Sequence, residues 1–568
     1  MEAKFKDFKY KRPDLELFKK EFNALLSEFN NANGFESQYN ILKKINDHRK
    51  DFDTMSTISS IRYTIDTKDK FYSEEHDYFD RIMPDYSGLI NELKKSMLKS
   101  KFRSELEVKC GKQLFKLAEL STKTINSEVV DDLKTENCLV TEYVKLIASA
   151  KIMFEGEERN LAGMAPFMQS ANREMRKNAN EARWKFFEDN EKEFDRIYDE
   201  LVKIRTKIAK KLGYKNFIEL AYDRMRRTDY GWKEVEDFRN KVKEYIVPVS
   251  QKLMDLQRQR LGLEYLYYYD IDYNFKNGNP TPKGDPQWIV EKAEKMYDEL
   301  SDETAKFMSL MVNHELMDLA NKKGKSAGGY CTFIPNYKSP FIFSNMNGTA
   351  HDVIVLTHEA GHAFQAYESR DFEMPEYIHP TLEACEIHSM SMEFITYPWM
   401  NLFFEEDTDK FFFSHLSGRL TFIPYGVTVD EFQHRVYENP EATPDERKKL
   451  WREIEMKYTP HKDYEDNDFL NRGGFWFHQK HIFAKPFYYI DYCLAQICAL
   501  QFWRKFNHDR DIAWGDYVRL CKAGGSKPFL ELLKIAKVES PFDKNVVESI
   551  VKYSDEWLES VNKVYELN

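Results

Sequence analysis

His351-Asp352-Val353-Ile354-Val355-Leu356-Thr357-His358-Glu359-Ala360-Gly361-His362-Ala363-Phe364 is the most informative stretch of this 568-residue chain. Its apolar residues Val353, Leu356, Ala360, Ala363 and Phe364 recur at helical spacing and predict a helix with a buried stripe. His358 and His362 are four apart, so both imidazoles lie on one helix face and can reach one ion. Glu359 lies about 100° round the helix from His358. It is therefore placed to reach a water beside the ion rather than the ion itself, the general-base arrangement of the HExxH pattern. Two imidazoles and a carboxylate on a core helix need compensation, because unpaired polar groups are costly to bury. A metal ion supplies it. The competing reading, two histidines spaced by chance on a solvated helix, is weakened by the apolar stripe.

Catalytic zinc takes three protein ligands and leaves a fourth position open. The segment Thr381-Leu382-Glu383-Ala384-Cys385-Glu386-Ile387-His388-Ser389-Met390-Ser391-Met392-Glu393 offers candidates, with Glu383, Glu386 and Glu393 on one helical face. Three carboxylates aimed the same way repel one another unless a cation or imidazoles sit opposite. Spacing alone does not say which of the three binds; the others are candidates to orient the histidines.

The rest of the chain fits a large helical protein. Only 22 Gly and 19 Pro occur in 568 residues, with 42% hydrophobic and 32% charged residues, which favours long helices over a turn-rich β fold and excludes intrinsic disorder. The formal charge is −11 and no long basic stripe occurs, which argues against a nucleic-acid partner. No run of apolar residues is long enough to span a bilayer, and the first residues carry no secretory core. The seven cysteines (110, 138, 331, 385, 493, 498 and 521) are scattered and never form CxxC, so a thiolate zinc site and a disulfide framework are not expected. A reducing cytoplasm is the expected compartment. The sequon Asn347-Gly348-Thr349 then has no meaning without a secretory route.

Helical patterning starts early, with Phe18, Phe22, Leu25 and Phe29 on one stripe, and continues to about residue 265. The densest cluster of turn formers is Asn277 to Pro286. Another helical pattern runs from there to about Asn321. The strand-like region follows: Gly328-Gly329-Tyr330-Cys331-Thr332-Phe333-Ile334, then Pro340-Phe341-Ile342-Phe343, predicting a small hairpin or edge strand. Helices resume after Ala350. Gly324-Lys325-Ser326 looks like the tail of a phosphate-binding loop, but Leu319 stands where the loop needs glycine.

Beyond the motif helix, Gly473 to Tyr492 is rich in groups that could donate to a developing oxyanion. Tyr489 and Tyr492 share a helical face there, although an aromatic-rich helix more often packs a core. Gly473-Gly474 suggests a loop able to close.

Several segments together carry a family resemblance. They are Glu181-Ala182-Arg183-Trp184 with Phe186-Phe187, Leu212-Gly213-Tyr214-Lys215-Asn216-Phe217, Arg227-Thr228-Asp229-Tyr230-Gly231, Ala327-Gly328-Gly329-Tyr330-Cys331, Ser339-Pro340-Phe341, the HEAGH helix, Glu386 to Glu393, and Phe487-Tyr488-Tyr489-Ile490-Asp491-Tyr492. Over nearly its whole length the chain resembles the oligoendopeptidase F branch of the thimet-oligopeptidase-like zinc metallopeptidases, and it is similar to the bacterial Pz-peptidases that cleave collagen-derived peptides. The resemblance implies a mostly α fold: a helical ellipsoid with a deep substrate channel and a small β-strand element near the active site. The organisation expected is an N-terminal helical region, 1–185, and a catalytic helical region, 186–568.

The resemblance also implies the roles. One zinc ion per chain is held by His358, His362 and Glu386, with Glu393 behind them and Glu359 as general base. His481, Tyr489 and Tyr492 stabilise the oxyanion, with Tyr488 and His478 as possible substitutes. Gly328, Gly329 and Tyr330 bind the substrate backbone by strand addition. Tyr488 is expected to touch substrate, and His388 to line the substrate pocket or support the ligands. The implied activity is cleavage of internal bonds in short unstructured peptides, with no nucleic-acid or membrane partner. A zinc carboxypeptidase of related fold and a non-catalytic peptide-binding protein are the alternatives.

Overall fold

Asp14 opens the first long helix, Leu15–Asn30, its carboxylate accepting from the amides of Glu16 and Leu17. In this computed structural model, which describes residues 3–565, Phe18, Phe22 and Phe29 of that helix are buried and Leu25 packs at their edge, as the stripe predicts. They meet Ile45 and Phe52 of helix Phe35–Ile65, and Phe79 and Tyr86 of helix Lys70–Leu98. The Phe52 and Tyr86 rings stack at 4.2 Å. Burying each such aromatic stabilises the fold by roughly 1.5–3 kcal/mol, so this cluster alone anchors the N-terminal helices.

The chain divides into two units, each assembled from three separated segments. The first comprises Met1–Lys123, Thr281–Thr408 and Cys498–Val538; the second comprises Thr124–Pro280, Asp409–Ile497 and Glu539–Asn568. One junction, Pro280 to Thr281, falls inside the turn cluster singled out above. A single cut at residue 185 does not separate the units.

In the first unit, helices Pro286–Leu300 and Asp302–Asn313 lead into the sheet. The helical pattern expected to reach Asn321 ends eight residues sooner, and Met317–Ala320 is a strand. Nothing in Met317-Asp318-Leu319-Ala320 favours a strand locally; parallel pairing with Ser339–Met346 recruits it. With β1 and β2 the hairpin strands Ile152–Phe154 and Glu157–Arg159, β3 is Met317–Ala320, β4 is Tyr330–Ile334 and β5 is Ser339–Met346. The three-stranded sheet has the order β3-β5-β4, with β4 antiparallel to β5 in the register Tyr330↔Phe343 to Ile334↔Ser339. The predicted hairpin is therefore present, and β4 is an edge strand. Helix Ala350–Glu368 follows β5 directly.

The second unit is helical apart from β1 and β2, which the sequence did not signal; Glu155 and Gly156 make their tight turn at φ 49° and 76°. Its helix Val247–Leu261 ends at Gly262 in the left-handed conformation that glycine adopts freely. Buried ion pairs tie distant helices together: Arg205 Nε donates to Glu136 Oε1 at 2.7 Å, and Arg173 and Arg176 both clasp Asp270.

Candidate metal centre

Two helices of the first unit build the site. The motif helix, Ala350–Glu368, carries His358, Glu359 and His362; the second helix, Leu382–Ile395, carries Glu386 and Glu393. They approach very closely at Gly361, where an added Cβ would lie 2.6 Å from the His388 carbonyl oxygen and 2.7 Å from Ser389 Cα. Glycine is thus a packing requirement inside the motif. That contact brings Glu386 Oε2 to 3.3 Å from His358 Nε2 and 3.6 Å from His362 Nε2. Among the described residues, His358, His362 and Glu386 are the group whose ligand atoms all lie within 4.8 Å of one another.

The donors around them are ordered. His358 Nδ1 lies 2.7 Å from Glu393 Oε1, so Nδ1–H donates to the carboxylate and the Nε2 lone pair is turned to the shared centre. Ser389 Oγ donates to Glu386 Oε2 at 3.0 Å. Two imidazoles and one carboxylate, fixed this way, match the donor set of a catalytic zinc site with three protein ligands. Glu383, the third carboxylate of the stripe, is buried and stands outside this group.

Burial and neighbouring charges shift the three groups of the motif helix in different directions. Burial works against a charged His358, yet hydrogen bonds and charges from Glu386 and Glu393 lift it to about 10. Burial pushes His362 down to about 3, despite the pull of Glu386. Burial also raises Glu359 to about 7; His358 opposes that rise, and Glu386 and Glu393 add to it. A carboxyl poised near neutrality is suited to taking and returning a proton.

β4 lies beside these groups. A Cβ added at Gly329 would come within 3.9 Å of Glu359 Oε1 and 3.4 Å of the Phe343 carbonyl, so the residue before β4 sits against Glu359. Gly328 has φ +96°. Tyr330 stacks on Phe343 at 4.9 Å, and its hydroxyl is 2.7 Å from Thr64 Oγ1. It is Gly329, ahead of the tyrosine, that lies against Glu359. Of the two roles expected of His388, lining the substrate pocket does not fit its burial. It is wholly buried, with its carbonyl accepting from the Tyr517 hydroxyl at 2.8 Å, and has no surface to offer a substrate.

The second unit gathers the other expected residues. The His481 ring lies 5.6, 5.0 and 6.0 Å from the Tyr488, Tyr489 and Tyr492 rings. Tyr488 and Tyr489 are 4.9 and 5.5 Å from Tyr492. Burial pushes the Tyr489 phenol up, so it stays protonated and able to donate. His478 Nδ1 lies 2.5 Å from the Phe475 carbonyl oxygen. Gly473-Gly474 has a packing reason to be glycine: Cβ atoms there would strike the Lys448 carbonyl oxygen at 2.0 Å and the Phe469 ring at 2.3 Å.

Sequence reasoning overlooked Tyr425 and Gln479. The Tyr425 hydroxyl donates to Gln479 Oε1 at 2.7 Å, and Gln479 Nε2 lies 2.7 Å from His481 Nδ1. An amide nitrogen only donates, so Nδ1 accepts and a neutral His481 carries its proton on Nε2. No motif marks Tyr425; Gln479 stands two residues from a histidine already of interest, the one signal available.

A family model described as the peptidase M3 N-terminal domain matches residues 5–125, and one described as peptidase family M3 matches residues 166–552. The chain is 57% identical to a solved structure of PZ peptidase A with inhibitor 2, covering 98% of this chain and 99% of that one, with a TM-score of 0.94. It is 23% identical to an oligoendopeptidase F homolog of Borreliella burgdorferi over 56% of this chain and 54% of the relative. To oligopeptidase PepF of Bacillus subtilis it is 21% identical over 72% of this chain and 61% of the relative. The chain thus spans less than two thirds of the length of these curated relatives.

Proposed function

The chain belongs to peptidase family M3, and from that premise we propose that it is a zinc metalloendopeptidase that hydrolyses internal bonds of short, unstructured peptides. The observation that carries this reading is the convergence of His358, His362 and Glu386 on one point, with Glu359 beside them. These three residues would hold one zinc ion per chain. When bound, zinc supplies Lewis-acid chemistry, acidifying water and polarising a carbonyl.

The chain's own residues do the rest. Glu359, raised to about 7, takes a proton from the attacking water and hands it to the leaving amine. The free edge of β4, with Gly328-Gly329 leading into it, takes the peptide backbone as an added strand, which favours extended, unfolded substrates. Tyr489 and Tyr492, with the Nε2–H of His481, donate to the developing oxyanion. Support for that role comes from the family resemblance and from the clustering of these rings in the second unit. Tyr488, whose ring lies 4.9 Å from that of Tyr492, is the proposed substrate-touching neighbour. All seven cysteines are free thiols, which supports a reducing, cytoplasmic setting. No helix among the described residues is long and apolar enough to cross a membrane.

An internally quenched peptide blocked at both ends tests the reading. Cleavage between internal residues, stopped by a chelator and restored by zinc, is expected. Cleavage only of peptides with a free C-terminus would instead indicate a carboxypeptidase. Tight binding of peptide by the zinc-loaded protein without turnover would indicate a binding protein.

A further inference from the structure

The motif Arg227-Thr228-Asp229-Tyr230-Gly231 has no part in the chemistry above, and the structure gives its arginine a task. Lys485-Pro486-Phe487-Tyr488 is a β-turn, closed by Tyr488 N–H donating to the Lys485 carbonyl at 3.3 Å. Proline stands at its second position and Phe487 at its third, with φ +64°. A positive φ at that position is the mark of a type II turn, where glycine or asparagine is the usual occupant. Phenylalanine is held in a strained conformation, and such strain persists only where the surroundings over-determine it.

The surroundings do so here. The Phe487 N–H donates to Gln433 Oε1 at 3.0 Å, and Gln433 is oriented by its own Nε2 bond to the Val429 carbonyl at 3.0 Å. The Phe487 carbonyl accepts from Arg227 Nη2 at 2.6 Å, and the same nitrogen donates to Asp491 Oδ1 at 2.5 Å. Both polar groups of one strained residue are therefore gripped by side chains 54 and 260 positions away. The Phe487 ring is fully buried, 4.9 Å from His434 and 5.9 Å from both Tyr222 and Tyr437. The arginine also links the turn to Asp491, in the first turn of helix Tyr489–His508. Tyr488 and Tyr489 lie between those two clamped points, and Tyr492 adjoins the second.

We propose that Arg227 and Gln433 are positioning residues, which act through the clamped Phe487 turn to fix the direction of Tyr488, Tyr489 and Tyr492. The proposal rests on the reading that these tyrosines serve the transition state. A turn free to relax at Phe487 would swing the start of the tyrosine helix, and a misplacement of about 1 Å costs up to about 100-fold in rate.

A double-mutant cycle on kcat distinguishes positioning from general support. Tyr488→Phe, Tyr489→Phe and Tyr492→Phe are measured singly. Gln433→Met, which removes the acceptor at nearly constant shape, is then measured alone and with whichever tyrosine substitution lowers kcat most. Arg227→Lys, which keeps one donor nitrogen on a shorter reach, runs through the same cycle and serves should Gln433→Met not fold. Expected is a kcat loss of about 10- to 100-fold for the clamp variant alone, with KM and zinc content little changed, and almost no further loss in the tyrosine-substituted background. Clamp and tyrosine losses that multiply, or a clamp variant at the parental kcat, would overturn the proposal while leaving the tyrosines' role standing. If no tyrosine substitution lowers kcat, the reading of the tyrosines fails, and the positioning role falls with it.

Discussion

Glu393 Oε1 lies 2.7 Å from His358 Nδ1, on the opposite side of the imidazole from Glu386. The ring is thereby locked with its free nitrogen toward the shared centre, and its basicity is raised by a buried carboxylate. Glu393→Ala leaves all three ligands in place but releases the ring. Zinc affinity is expected to fall by about 10- to 100-fold, read by competition against a chelator of known affinity. Unchanged affinity would show that Glu393 does not orient His358.

Gly361 sets the distance between the two helices of the site. A methyl group at 2.6 Å from the His388 carbonyl oxygen cannot be absorbed by rotating a side chain, because the atoms met are backbone. Gly361→Ala is expected to lose about 1–3 kcal/mol of stability, as overpacked cores do. It should also lower zinc content, since Glu386 moves with its helix. Calorimetric unfolding with metal analysis checks both effects, and a fully loaded variant of parental stability would contradict the contact.

Glu136 predicts a pH dependence remote from the site. Its burial opposes ionisation, but Arg205 and Arg224 hold its pKa below the ordinary 4.5. A carboxyl depressed on folding contributes stability that is present above 4.5 and lost as the pH falls through the folded value. Glu136→Gln leaves Arg205 buried beside a neutral group, and at pH 7 should destabilise by about 3–5 kcal/mol. The gap between parent and variant should shrink as the pH drops below 4.5. A gap that stays constant between pH 7 and pH 3 would show that folding does not depress the Glu136 pKa.

Much of this arrangement is legible in the sequence because its signals are local. The i, i+4 spacing of His358 and His362 needs only helix geometry, and the Phe18 to Phe29 stripe needs only its period. β4 and β5 are marked by aromatic and β-branched residues between turn formers. What is not legible depends on partners far away in the chain. Met317–Ala320 is a strand only because β5 lies beside it. His388 reads as lining the substrate pocket or supporting the ligands, and its burial, with Tyr517 from 129 positions away on its carbonyl, does not fit the first of these. Gly473 and Gly474 read as a permissive loop, and their packing against Lys448 and Phe469 is visible only in the fold. Among Glu383, Glu386 and Glu393, helical spacing leaves the candidate open; in the fold it is Glu386 whose carboxylate comes near both imidazoles.

The central claim is that Glu359 is the general base of a zinc-dependent peptide hydrolysis. Its most direct test is kcat of zinc-loaded Glu359→Gln on an internally quenched peptide blocked at both ends. Glutamine keeps the shape and cannot take the proton, so kcat should fall by about 10²- to 10⁴-fold with zinc content equal to that of the parent. Turnover at the parental rate in the zinc-loaded variant would contradict the account.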